Sequence, residues 1–286
     1  MSLKTHVRDA AKANNIDLIG FGSKDRFEGQ PAHLNPFSIF PEGKTVILVG
    51  KRICRGSLRG IEEGSNFGDY ALFGNSWLED EFVSIACYDM TRVLEDQGWE
   101  AVPIFPNPPE MGGTGVPVAA GRPAANVTPD FEYAAVACGL GEIAYNGLLF
   151  TPQFGSRQRL QMIITDAEIE PDPLCGQVIC DQCKKCVAAC PLGAISAEEY
   201  KEISVCGKVM KVAKIDYSLC MRCENGCMAN RLQKTAKPDR IAAMCNRTCM
   251  IHLEAEGLVG NTFENPFRSA APWAKDVWGK NVPVRE

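Results

Sequence analysis

Cys180 to Pro191, CDQCKKCVAACP, decides how this chain is read. Cys180, Cys183, Cys186 and Cys190 stand in the order Cys-x2-Cys-x2-Cys-x3-Cys-Pro. That is the spacing of a 4Fe–4S loop whose fourth thiolate serves a second cluster. Three thiolates at this pitch wrap one face of a cubane from a tight loop. The fourth is carried off on a helical turn, and Pro191 ends that turn. Zinc sites more often present Cys-x2-Cys pairs separated by a longer loop. Disulfides belong to oxidising compartments, and no secretory leader is read here.

A complete second run would place cysteines at positions 217, 220, 223 and 227. Cys220, Cys223 and Cys227 are present, but Tyr217 stands where the first should be. Cys206 lies upstream and can fold back to fill the gap. The expected ligand sets are therefore Cys180, Cys183, Cys186 and Cys227 for one cluster, and Cys190, Cys206, Cys220 and Cys223 for the other. Cys175, Cys245 and Cys249 compete for the place of Cys206. Lys214-Ile215-Asp216 reads as a short strand leading into the second loop.

Composition is consistent with this. In 286 residues, 45% are hydrophobic, enough for a well-buried core, and the net charge is −5. That balance gives no reason to expect nucleic acid or an anionic membrane as partner. Of fourteen cysteines, nine lie between Cys175 and Cys227, a cofactor signature rather than a disulfide framework. With no twin-arginine leader and no long apolar run, a reducing cytoplasm is expected.

Upstream, helices alternate with strands. Ser2 can cap a helix to about Asn14, and Ile16–Gly22 reads as a strand. Thr45–Val49 is an apolar, β-branched run of strand length. Ser76 and Glu79 fit a capping box for a helix to Gln97, followed by a strand over residues 101–105. Residues 106–128 are rich in Gly and Pro. The Gly112–Gly115 stretch lacks the Gly-Lys-Ser/Thr ending of a phosphate loop and reads as a surface or cofactor-lining loop. Thr128, with Pro129 at the first helical position, reads as the cap of a short helix carrying Tyr133. The glycines at 139, 141, 147 and 155 allow close backbone approach to something bulky. Gln161–Thr165 reads as a last core strand. In the tail, Cys245 and Cys249 read as packing or free thiols, and His252 as a lone histidine with little claim to catalysis.

GLGEIAYNGLLFTPQFGSR at 139–157, just upstream of the cysteine run, with its displaced second run, resembles the cobalamin-dependent reductive dehalogenase and epoxyqueuosine reductase superfamily. The resemblance implies an α+β protein: a nitroreductase-like core at 1–166, a ferredoxin-like insert with two 4Fe–4S clusters at 167–236, and a wrapping segment at 237–286. It implies a base-off corrinoid (cobalamin) bound near Gly139, Gly141, Asn146, Gly147, Thr151, Phe154, Gly155 and Ser156. Electrons would run from an external ferredoxin or flavodoxin through the clusters to cobalt, for reductive cleavage of a small organic substrate. Tyr133 falls where the dehalogenases carry a tyrosine and the queuosine enzymes an aspartate. It is the expected general acid, with Arg157 or Arg159 as the cation that stabilises the tyrosinate. Two other readings stand beside this one: a two-cluster electron-transfer protein with no substrate, and a flavin-dependent reductase on the same core.

Overall fold

The computed structural model describes residues 2–113 and 115–285; Thr114, within the Gly112–Gly115 loop, lies outside them. The chain is mixed α and β and divides into two compact units. One takes Met1–Arg52, Leu78–Leu140 and Arg159–Cys175; the other takes Ile53–Trp77, Gly141–Gln158 and Gly176–Glu286. This division does not follow the consecutive segments 1–166, 167–236 and 237–286. Residues 53–77 and 141–158 pack with the cysteine-rich part rather than with their chain neighbours.

The first unit holds a sheet in the spatial order Leu18–Ser23, Thr45–Arg52, Gln158–Thr165, Ala101–Ile104. Val46, Ile47, Leu48 and Val49 are all fully buried, as a central strand covered on both faces requires. The helix Leu3–Ala13 starts at Ser2, whose hydroxyl accepts from Thr5 N at 3.2 Å. Its Val7 and Ala11 join Phe21, Ile47, Val49, Met90, Leu94 and Ile163 in the core. Asp172 ties this helix to the Leu18–Ser23 strand: Lys4 lies at 2.8 Å, Arg8 at 2.7 Å, and the amide of Phe21 donates at 3.2 Å. Burial pushes the Cys87 thiol, on the Ser84–Glu95 helix, up to about 12.

Two helix starts differ from expectation. Ser76 caps nothing, because the helical run begins earlier, with widened turns over Tyr70–Ser76 and Leu78–Val83. The hydroxyls of Ser76 and Ser84 donate five residues back, to Ala71 O at 2.8 Å and Glu79 O at 3.0 Å, which fits the wider turn. The helix carrying Tyr133 spans Phe131–Ala137, and its cap is Asp130, whose carboxylate accepts from Tyr133 N at 2.9 Å. Thr128 lies too far upstream to reach those amides, and its buried hydroxyl has no hydrogen-bond partner among the described residues.

In the second unit, Ile195–Val205 and Lys208–Ile215 form a hairpin, far longer than the short strand expected at Lys214–Asp216. Cys206 and Gly207 make its turn, with φ of 50° and 84°. Asp216 caps the next helix, Tyr217–Met221, by accepting from Ser218 N at 2.9 Å. The helix Met244–Ala255 is buried along nearly its whole length. Its Arg247 pairs with Glu62 at 2.6 Å, and Arg268 pairs with the other carboxylate oxygen. The Trp273 indole donates to the carbonyls of Ile61 and Glu62, each at 3.0 Å. Among the described residues no helix is long and apolar enough to cross a membrane.

Burial alone would raise the Glu62 carboxyl, but hydrogen bonds and charge from Arg268 and Arg247 outweigh it and hold the group below its ordinary 4.5. A depressed carboxylate stabilises the fold fully above its unfolded value, and that contribution is lost as pH falls through the folded value. Glu62→Gln is expected to cost about 3–5 kcal/mol near neutral pH. Urea unfolding of both proteins at about pH 7 and about pH 4 checks this, and the gap should narrow in acid.

Candidate metal centres

The thiols of the second unit gather in two places. Cys180, Cys183 and Cys186 line a cavity with Cys249, Tyr145, Asn146, Phe150 and His252. Gln182 and Lys184 take left-handed φ of 57° and 60°, which turns the loop sharply between the first three cysteines. Glu142 fixes the start of that loop: one carboxylate oxygen accepts from Ile179 N at 2.8 Å and Cys180 N at 2.7 Å, and the other meets Lys208 at 3.2 Å. Two N–H groups aim at sulfur, Tyr145 N at Cys180 Sγ (3.4 Å) and Asn146 Nδ2 at Cys249 Sγ (3.7 Å).

The second cavity is lined by Cys190, Cys220, Cys223, Cys227 and Cys245. Ala194 N donates to Cys190 Sγ at 3.3 Å, and Asn225 Nδ2 to Cys223 Sγ at 3.6 Å. The thiols differ in readiness to ionise. A hydrogen bond from Cys227 brings Cys223 down to about 6 and pushes Cys227 up. In the first cavity the bond between Cys249 and Cys186 acts likewise, lowering Cys186 and raising Cys249. Burial lifts Cys183 and Cys220 to about 11.

This grouping differs from the ligand sets expected from the sequence. Cys206 is exposed on the hairpin turn and lines neither cavity. Ile195 and Ile215 pair at the far end of the hairpin, where Ile195 lines the second cavity. Seven strand residues put the turn on the order of 20 Å from there. Cys227 lies in the second wall, and Cys249 takes the expected place of Cys227 in the first. The spacing Cys245-x3-Cys249 mirrors Cys186-x3-Cys190. In each pair, one cysteine lines each cavity. His252 is not alone either: Asp181 lies 2.7 Å from one ring nitrogen and Lys185 3.2 Å from the other.

The other expected site residues lie as follows. Tyr133 is in the first unit, and its hydroxyl donates to Arg26 O at 2.8 Å. Arg157 is in the second unit, buried, donating to Ile53 O at 3.0 Å and Asn261 Oδ1 at 2.8 Å. Arg159 meets Glu79 at 3.9 Å. Thr151 pairs with Gly155 in a small bridge, and its hydroxyl bonds Gln158 at 3.0 Å and accepts from Phe154 N at 3.3 Å. Ser156 accepts from Asn246 at 2.8 Å. The bulky neighbours of the glycines are parts of the chain itself: a Cβ would meet Pro173 O at Gly139, Phe150 O at Gly141, Ile215 at Gly147 and Leu253 at Gly155.

The two donor sets fit 4Fe–4S clusters, since each wall offers at least four sulfurs with N–H donors aimed at them. Cys249→Ala is expected to lose roughly half of the bound iron, and Cys206→Ala to keep all of it. Iron and sulfide assays on anaerobically purified variants check this.

No family model matches the chain. Over 68 residues it is 47% identical to a tetrachloroethene reductive dehalogenase of Desulfitobacterium hafniense, a match covering 23% of this chain and 12% of that protein. An epoxyqueuosine reductase of Listeria monocytogenes is 37% identical over 68 residues, 24% of this chain and 18% of that one. The chain thus spans under a fifth of these curated relatives. A catabolic reductive dehalogenase, solved with 3-bromo-4-hydroxybenzoic acid, matches 92% of this chain and 41% of its own, at TM-score 0.52 and 14% identity. Another reductive dehalogenase structure, described in terms of B12-dependent dehalogenation, matches at TM-score 0.51. The local sequence matches are thus to reductive dehalogenases and epoxyqueuosine reductases, and the structural likeness to a reductive dehalogenase, at 14% identity, is one of fold.

Proposed function

We propose that this chain is an oxidoreductase of the reducing cytoplasm that carries two 4Fe–4S clusters and passes single electrons from an external ferredoxin or flavodoxin to an acceptor. The observation that carries the reading is the sharing of Cys186/Cys190 and Cys249/Cys245 between two cavities. One cluster is held by Cys180, Cys183, Cys186 and Cys249. The other is held by Cys190, Cys220 and Cys245, with Cys223 or Cys227 as the fourth ligand. When bound, the clusters supply one-electron transfer. The chain's own groups hold the geometry: Glu142 orders the first loop, and the amides of Tyr145 and Ala194 stabilise sulfur charge. Because the ligands bind as thiolates, loading releases protons and weakens in acid.

Within this reading the acceptor is a corrinoid in a nitroreductase-like core, as the superfamily implies, and Tyr133 is the general acid for reductive cleavage of a small organic substrate. The chain's own backbone and side chains fill the space beside Gly139, Gly141, Gly147 and Gly155, which favours a second reading, a two-cluster electron-transfer protein without corrinoid. A further structural neighbour, an epoxyqueuosine reductase, was solved with a modified tRNA stem loop, so the expectation of no nucleic-acid substrate is dropped, and such a stem loop belongs beside organohalides in any substrate screen.

Anaerobic purification with added corrinoid, followed by iron and cobalt counts and electron paramagnetic resonance, separates these readings. About eight irons and one cobalt per chain are expected. Eight irons without cobalt support the electron-transfer reading, a flavin spectrum supports flavin chemistry, and no iron overturns the proposal. Tyr133→Phe should keep its cofactors and lose turnover by ~10²-fold or more if the tyrosine is the acid. Unchanged turnover removes it from that role.

A further inference from the structure

Arg240 is 3% exposed, among the most deeply buried charged side chains of the second unit. The other buried arginines there have carboxylates. Arg247 pairs with Glu62 at 2.6 Å, and Arg157 lies 4.0 Å from Glu254. Arg240 has none within ion-pair distance among the described residues. It donates from Nη1 to Asn146 O at 2.9 Å, and its guanidinium carbon lies 5.2 Å from the centre of the Tyr217 ring. A buried charge without an opposite charge is strongly destabilising.

The position of Arg240 identifies its counter-charge. Asn146, whose carbonyl it holds, turns its side chain toward Cys249 in the first wall. The Arg240 carbonyl accepts from Ala243 N at 3.0 Å, and Ala243, Met244 and Cys245 line the second wall. The field of Arg240 reaches Cys186 on one side and Cys220, Cys227 and Cys245 on the other. Thiolate-bound clusters at these walls would give the guanidinium the anionic partners that the carboxylates do not.

We propose that Arg240 is the shared counter-cation of both metal centres, its fixed charge compensating the thiolate-bound clusters and raising the reduction potential of each. Reduction adds one electron and one negative charge to a cluster while no bond forms or breaks, so a nearby fixed cation favours the reduced form. This inference rests on the two-cluster reading above.

The test is an anaerobic redox titration of the iron-loaded wild type, Arg240→Gln and Arg240→Lys, followed by electron paramagnetic resonance, with iron counted first. The expected result is that the Gln variant keeps its iron while both cluster potentials move negative, and that the Lys variant stays near the wild type. A Gln variant that loses iron while Lys retains it also supports the proposal, since charge is then what loading requires. Unchanged potentials in an iron-loaded Gln variant would overturn it. Loss of iron from both variants also overturns it, because the requirement would then be for the guanidinium's hydrogen bonds. A wild type without iron overturns the cluster reading itself, a failure visible before any potential is measured.

Discussion

A cubane presents four metal corners, and no single tight loop reaches all of them. On the two-cluster reading, the second unit answers that constraint. The loop from Cys180 to Cys186 supplies three sulfurs to one cavity, and the remaining sulfur comes from the helix Met244–Ala255, more than fifty residues further along the chain. That helix is clamped on both sides. Cys245 and Cys249, one turn apart, present sulfur on one face, while Arg247, about 200° around from each, anchors the other to Glu62. Glu142 does the matching work for the loop, because an ordered turn of consecutive amides needs an acceptor.

Much of this was legible before the fold was known. The first cysteine run was plain because its ligands are close in sequence and the spacing itself encodes the geometry. The strand at Thr45 was plain because a central strand must be apolar on both faces. What could not be read was the pairing of distant segments. Cys206 looked like a ligand by counting, but a cross-strand ladder of paired residues fixes it at a hairpin turn. Cys249 looked like packing because its partners lie far upstream. The capping errors at Ser76 and Thr128 have a local cause: serine and threonine bond backward as readily as they cap, and Asp130 was better placed than Thr128.

The glycine-rich block from Gly139 to Gly155 is a subtler case. Its residues do mark close approach, as their type suggests, and Gly139, Gly147 and Gly155 have positive φ. Yet what approaches is backbone or side chain from the same unit. Glycine reports that space is tight and says nothing of what fills it. A resemblance in such a block therefore carries the local fold further than it carries a ligand.

The two pairs spaced four apart have one more consequence. One helical turn, about 6 Å of rise, separates the sulfur given to one cavity from the sulfur given to the other. The two sites thus share a wall, and neither has an independent scaffold. Displacing the Met244–Ala255 helix would strip a corner from both at once. Assembly of the two walls then resembles closing a single latch rather than shaping two separate sockets.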